Sequence, residues 1–542
     1  MSFRHVLNEG LLIEGGQIGY CIRPNEWGAG SARSMHATGN LTLGMTAGLL
    51  VCLAHPVFAE SIDLARRREL FIDNHLIGEM KNVQILVHQP EPREIAVQCD
   101  APWEGNGCGY YTVLHDARES VYRMYYHAWQ IPTGIEPGGP LSIAYFESKD
   151  GITWVRPSLG LCEFNGSKEN NIILDKMGDG SGCHDFSPFI DENPAAAPEA
   201  RYKATGAGAE TGKGVWIYQS PDGIHWTPMA DAPVFSNGAF DSQNVSFWSE
   251  AERQYVLYYR TFSQGNFKGT RRVNRAVSKD YLHWTEEGAI TFPDGEGPQP
   301  LAQFYINQIK PYSRAPHLYI GFPARYVDHG FTESTKLLPE WDLREKRMSV
   351  SPRYGTAVTD SVYITSRDGK SFRQSNDVFL RPGLRTRHNW SYGDNYIAWH
   401  VVETQSARDD SPRELSLYAT ESYFTGRDSR LRRYALRIDG FASVHAKLQE
   451  GEFTTKPITF SGHELSLNAA TSAAGRIQVE IREPGGTPIP GFTLDECDPI
   501  YGDALDRRVS WKGNRSVAAH RGNPVVVRFV LREADIYSLA FE

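Results

Sequence analysis

Long apolar runs are missing from this 542-residue chain. The one candidate, residues 41–53, is too short to cross a bilayer as a helix, which takes about 20 residues, so no membrane span is expected in the mature chain. Concentrated basic charge is missing too. Lys and Arg number 56 against 65 Asp and Glu, giving a net charge of -9 and a pI near 6.0. That balance excludes a nucleic-acid partner, because a phosphate-binding surface needs clustered cations. Cysteine is sparse and has no zinc spacing, and there is no Gly-rich nucleotide loop or serine-triad motif, so neither a metal nor a cofactor is expected.

What is present first is a leader. Residues 1–59 read as separate from the fold: an apolar core at 41–53 is followed by Val57-Phe58-Ala59, small residues where a signal peptidase cuts. Met35 fits as the true start, with a signal peptide over about 35–59, and the expectation is export to the periplasm or outside the cell. From Met35 the leader carries no Lys or Arg before the apolar run, so a membrane-tethered N-terminus stays open. Cys21 and Cys52 fall in this leader. The remaining Cys99, Cys108, Cys162, Cys183 and Cys497 are odd in number, so at least one is free, and bridges from Cys99 to Cys108 or from Cys108 to Cys183 are both possible on export.

A repeat dominates the middle of the chain. Ser148-Lys149-Asp150-Gly151, Ser220-Pro221-Asp222-Gly223, Ser278-Lys279-Asp280-Tyr281 and Ser366-Arg367-Asp368-Gly369 each lead to an aromatic residue: Trp154, Trp226, Trp284 and Phe372. The Asp residues are 72, 58 and 88 positions apart, the length of one four-stranded unit with variable loops. Each reads as a turn: Asp accepts from backbone N–H groups just ahead, Gly takes the left-handed dihedral, and the aromatic fills the gap between sheets. Alternating aromatic strands precede each turn, as in 121–126 and 254–259, and a fifth set at 389–419 lacks the turn, as suits a closing blade. The expected fold is all-β, a five-bladed β-propeller over 60–437 followed by a C-terminal β-sandwich over 438–542. In that sandwich, 464–467, 475–481, 525–531 and 536–541 read as strands. Asp73 with Asn74 reads as an Asx turn between two short strands.

Three acids stand at the heads of inner strands on successive blades: Glu104, Asp185 and Asp241. Blade symmetry would bring them to one mouth of the central tunnel. Three carboxylates in one funnel repel, so at least one holds a proton near neutral pH, the condition for a general acid beside a base or nucleophile. His184, Gln243, Asn244, Gln303 and Tyr305 occupy similar strand starts and are candidates for binding sugar hydroxyls; Trp390, with Trp129 and Trp399, is a candidate stacking platform. Arg260, Arg325 and Arg387 lie near strand ends, where they would neutralise an acidic sugar.

On these residues the chain resembles the five-bladed propeller glycoside hydrolases, the invertase and levanase group with the arabinanase and xylosidase group. Trp103-Glu104-Gly105-Asn106-Gly107 looks like their blade-one Trp-x-Asn-Asp-Pro-Asn-Gly, and His184-Asp185-Phe186 looks like their blade-two Arg-Asp-Pro. The resemblance implies Glu104 as base or nucleophile, Asp185 as the residue that holds hydroxyls and tunes its neighbour, and Asp241 as general acid. Glu stands where the family has Asp and Asp where it has Glu, which leaves the two roles exchangeable. The function implied is an exported glycoside hydrolase removing terminal sugars from a plant or algal glycan. A sialidase-like exo-glycosidase is the alternative, for which six blades would speak, and a noncatalytic carbohydrate-binding propeller is a third reading.

Overall fold

A computed structural model describes residues 61–132, 137–208, 214–265, 267–293, 302–424 and 429–542. The expected leader, with Met35, Cys21 and Cys52, lies outside the described residues. Five antiparallel sheets follow one another along the chain, and each is one blade of a propeller. Blade one runs outward from Gly109–Asp116 through Val121–Ala128 and Ser142–Ser148. Blade two runs from Cys183–Ile190 to Tyr202–Gly208 and Trp216–Ser220, and blade three from Val245–Ser249 to Gln254–Phe262 and Arg271–Ser278. In blade four a second strand, broken into Ala315–Gly321 and Ala324–Asp328, pairs with Ala357–Ser366. Between those partners the chain inserts three short helices, Glu333–Lys336, Trp341–Met348 and Arg353–Thr356.

The repeated turn has the expected chemistry. Asp150 Oδ1 accepts from the backbone N–H groups of Ile152 (2.8 Å) and Thr153 (2.7 Å), Ser148 Oγ accepts from Gly151 N (2.9 Å), and Gly151 has φ +74°. Asp222, Asp280 and Asp368 repeat the pattern. In the third copy Tyr281 takes the left-handed position, at φ 69°. These turns also join the blades. The Tyr125 hydroxyl of blade one donates to Gly223 O in blade two (2.9 Å), Tyr258 of blade three to Gly369 O in blade four (2.5 Å), and Tyr418 of blade five to Gly151 O in blade one. The motif aromatics pack on the same tyrosines: Trp226 on Tyr125, Phe372 on Tyr258 and Trp154 on Tyr418.

Blade five closes the ring with strands from both ends of the propeller. Val402–Thr404, Glu414–Glu421 and Arg430–Leu436 are completed on the outside by Glu91–Gln98, in a register that sets Val97 opposite Leu431. Residues 62–87, expected inside the propeller, pair instead with the C-terminal chain. Ile77–Lys81 lies against Gly451–Thr455, and Val83–Val87 against Ala442–Ala446, in one eight-stranded sheet. The stretches 464–467 and 475–481 are not separate strands. They form one long strand, Leu465–Arg482, which follows Val526–Phe541 through two register shifts. Its apolar faces enclose Phe71, Phe453, Phe529, Ile477 and Trp511. The Asx turn at Asp73 is present, with Oδ1 accepting from His75 N at 2.9 Å.

Candidate active site

The inner strands of all five blades begin at one end of the axis, and their contacts close a circle there. Tyr110 of blade one packs its ring on His184 of blade two and donates its hydroxyl to the backbone oxygen of Asp241 in blade three (3.2 Å). Ser242 Oγ donates to Tyr305 O in blade four (2.7 Å), the Tyr305 ring packs on Tyr392 and Tyr396 of blade five, and Phe424 N returns to Asn106 O (2.7 Å). Tyr110 reaches this circle because the pairing with the next strand shifts register between Gly109 and Thr112, leaving it at φ 50°. A bulge of this kind re-aims one side chain out of the ladder.

The loop that carries Asp241 is pinned from below. Asn244 donates through its backbone N (2.9 Å) and its Nδ2 (2.9 Å) to Asp185 Oδ2, and through Nδ2 to Ser242 O (2.6 Å). Asp185 is fully buried, and burial outweighs those donors and the Ser187 hydroxyl, pushing its carboxyl up to about 7. Deeper in the tunnel Gln243 is also fully buried. Its Nε2 donates to Tyr111 O and Thr112 Oγ1, and its Oε1 accepts from Gln308 at 2.8 Å. Gln243 and the donors of Asn244 are therefore bonded inside the protein and form the floor of the mouth, where Asn244 Oδ1 is buried without a partner.

Above that floor lie cations and phenols. Asp241 is in ion contact with Arg260, whose guanidinium lies 5.0 Å from the centre of the Tyr305 ring. Arg271 approaches the same ring at 4.9 Å, and Arg353, brought in by the third inserted helix, lies 5.0 Å from the ring of Tyr392. The Tyr392 hydroxyl donates to that of Tyr305 at 2.6 Å. Burial pushes the Tyr305 phenol up, but the charges of Arg353, Arg260 and Arg271 outweigh it and take it down to about 7. On the blade-two side, His184 and Trp129 are half-buried with rings 5.8 Å apart, and burial, with His127 and Arg260 nearby, takes His184 down to about 3.

The expected residues divide. Asp241, His184 and Tyr305 meet at the mouth, and Asp185 supports it from beneath. Glu104 is not brought there: its carboxylate accepts from Tyr126, Ala101 N (2.8 Å) and Arg156 (3.0 Å), beside the second and outer strands of blade one. Gln303 holds Arg271, accepting from its backbone N (3.1 Å) and its Nη1 (2.8 Å). Trp390 lies in the loop behind, its indole donating to Gly383 O at 2.9 Å, and Trp399 is fully buried. Of the three arginines expected to meet an acidic sugar, Arg260 is in place. Arg325 is fork-paired to Asp360, and Arg387 is exposed. Arg271 and Arg353 stand where those two were expected. Arg271 opens a strand as one of an Arg-Arg pair, a weak signal; Arg353 lies in the helical insertion, outside the repeat, where no strand pattern could place it.

No family model matches the chain, and no curated protein matches it. Solved structures resemble it at low identity. A fructofuranosidase from Schwanniomyces occidentalis complexed with fructosylnystose is 11% identical, with a TM-score of 0.38 over 84% of this chain and 98% of that one. An exo-inulinase from Aspergillus awamori is 12% identical, with a TM-score of 0.38 over 84% and 99%. BT0996, solved in complex with RGII, is 13% identical, with a TM-score of 0.41 over 65% of this chain and 93% of that one.

Proposed function

We propose that the chain is an exo-acting glycoside hydrolase whose reaction takes place at this axial mouth. The observation that carries the reading is the meeting at Arg260 of a carboxylate, Asp241, in ion contact with its guanidinium, and a phenol, Tyr305, whose ring centre lies 5.0 Å from it and which the surrounding arginines take down to about 7. A carboxylate beside a guanidinium suits the ionised role, so Asp241 is assigned as base and Tyr305 as proton donor, the reverse of the acid role that the resemblance implies for Asp241. Water attacks the anomeric carbon and gives its proton to Asp241; the bond to the leaving oxygen breaks as that oxygen takes the proton of Tyr305. Asp185 acts through Asn244, fixing the loop that presents Asp241, and is a positioning residue. Glu104 is assigned no part in the reaction.

Trp129 and His184 offer a half-exposed wall for a sugar ring, consistent with one terminal residue entering a closed circle. The ring has five blades, the number that speaks against the sialidase-like alternative. Export through a leader at 35–59, and an accessory role for the C-terminal sheet as a β-sandwich, complete the reading. The test is release of reducing sugar from a panel of aryl glycosides and glycans. Asp241→Asn is expected to lose at least about a hundredfold in kcat while retaining its fold. Wild-type protein that binds sugars but hydrolyses none of the panel would leave the noncatalytic binding propeller as the better description.

A further inference from the structure

The mouth holds more positive charge than the proposed reaction uses. Arg260, Arg271 and Arg353 surround one pair of hydrogen-bonded phenols, Tyr305 and Tyr392. Among the described residues Asp241 is the carboxylate in ion contact with any of the three, and it meets Arg260 alone. Arg260 is only 3% exposed, yet its Nε and Nη1 have no hydrogen-bond partner. Nε of Arg271 and Nη1 of Arg353 are buried and unpartnered in the same way. A fold that leaves charged donors buried without acceptors is poorly satisfied unless a ligand supplies them. The three like charges also repel in a site walled by tyrosine rings, where water screens them little.

An oxyanion resolves both problems at once, because it accepts from the open N–H groups and cancels charge. Guanidinium forks match a planar carboxylate in two parallel hydrogen bonds and bind a sulfate or phosphate by the same geometry. The net charge of the chain is -9, so a cluster of this sign is a local feature and not a consequence of overall composition.

We propose that the terminal sugar accepted at this mouth carries an oxyanion, seated between Arg260, Arg271 and Arg353. The sugar in this inference rests on the glycoside hydrolase reading; the anion rests on the arginines. Arg260 bridges the anion and Asp241, so the charged substituent fixes the sugar relative to the base. The carboxylate of a uronic acid and the sulfate ester of a neutral sugar are the two sources of that chemistry.

Titration calorimetry on the full chain tests the proposal with D-glucuronic acid and D-galacturonic acid, D-glucose and D-galactose, and D-galactose 6-sulfate. At least one charged sugar is expected to bind at least about tenfold tighter than its neutral parent, with the advantage shrinking as salt rises. Tight binding by the uronates assigns the carboxylate source, and tight binding by the 6-sulfate alone assigns the ester. Arg271→Gln is expected to bring charged and neutral sugars to within about twofold of each other, while Arg325→Gln, outside the circle, leaves the preference intact. Equal binding of charged and neutral sugars overturns the proposal, as does the absence of binding by any charged sugar. Turnover separates this from the hydrolase reading. Preference for charged sugars without hydrolysis of any aryl glycoside keeps the anion site and removes the hydrolase; hydrolysis of neutral glycosides with no preference for uronides does the reverse.

Discussion

Tyr305 is the residue at which the electrostatics of the mouth become measurable. In the proposed role of proton donor it works only while protonated, so activity should fall as pH rises through about 7, the value to which Arg353, Arg260 and Arg271 take it against the effect of burial. Tyr305→Phe removes that alkaline limb from the kcat/KM profile along with most of kcat; a Phe variant with an unchanged limb would take the proton from another group. Asp185 makes a different prediction, about stability. Its carboxyl rises from an ordinary 3.8 to about 7 in the fold, chiefly by burial. The folded state therefore keeps a proton that the unfolded chain has released, so this contribution is complete below about pH 4 and is lost as pH rises toward about 7. Asp185→Asn should show a smaller drop in Tm between pH 5 and pH 8 than the parent, and an equal drop would place the titration elsewhere. At this scale the sequence was partly legible. Asp241, Tyr305 and His184 were visible because each stands beside an apolar run that reads as an inner strand. Glu104 shared that appearance, but its carboxylate turns toward Arg156, a pairing fixed by residues far along the chain.

At the scale of single elements, the Ser-x-Asp-Gly turn was readable because all its chemistry is local, within about four residues. Its second role was not. The glycine carbonyl receives a tyrosine hydroxyl from the neighbouring blade, and nothing near the turn announces a partner 111 residues away at Gly369. Gly369 has φ +68°, and a Cβ there would come within 2.9 Å of the Tyr258 hydroxyl. Gly369→Ala should therefore destabilise the fold by about 1–2 kcal/mol, combining backbone strain with a disturbed hydrogen bond, as read by chemical denaturation. A loss below the error of that measurement would mean that the latch is dispensable. The helical insertion between the blade-four strands marks the limit of such reading. It breaks the period-two pattern and delivers Arg353 to the mouth, so the third cation could not be placed without the fold.

For the whole molecule, the number of blades followed from the spacing of the repeats, but the closure did not. Glu91–Gln98 pairs with Arg430–Leu436 across more than 330 residues, and a strand that borrows its partner from so far away has no signature of its own. Val97 is 5% exposed in this seam, packed with Leu431 and Tyr418. Val97→Asp sets an unpaired charge there and should lower Tm markedly, by several kcal/mol of stability, with new protease cuts on both sides of the seam. An unaltered Tm would mean that the C-terminal sheet alone holds the circle shut. The sheet was similarly hidden, since residues 69–87 and 442–541 contribute to it from opposite ends of the chain.

That shared seam imposes an order of events during biosynthesis. Glu91 leaves the ribosome hundreds of residues before Arg430, so this first strand of the propeller must wait, unpaired, while four blades are made. The circle of contacts at the axis can then exist only in a finished polypeptide. A fragment released early would lack that circle, however well its own blades had formed.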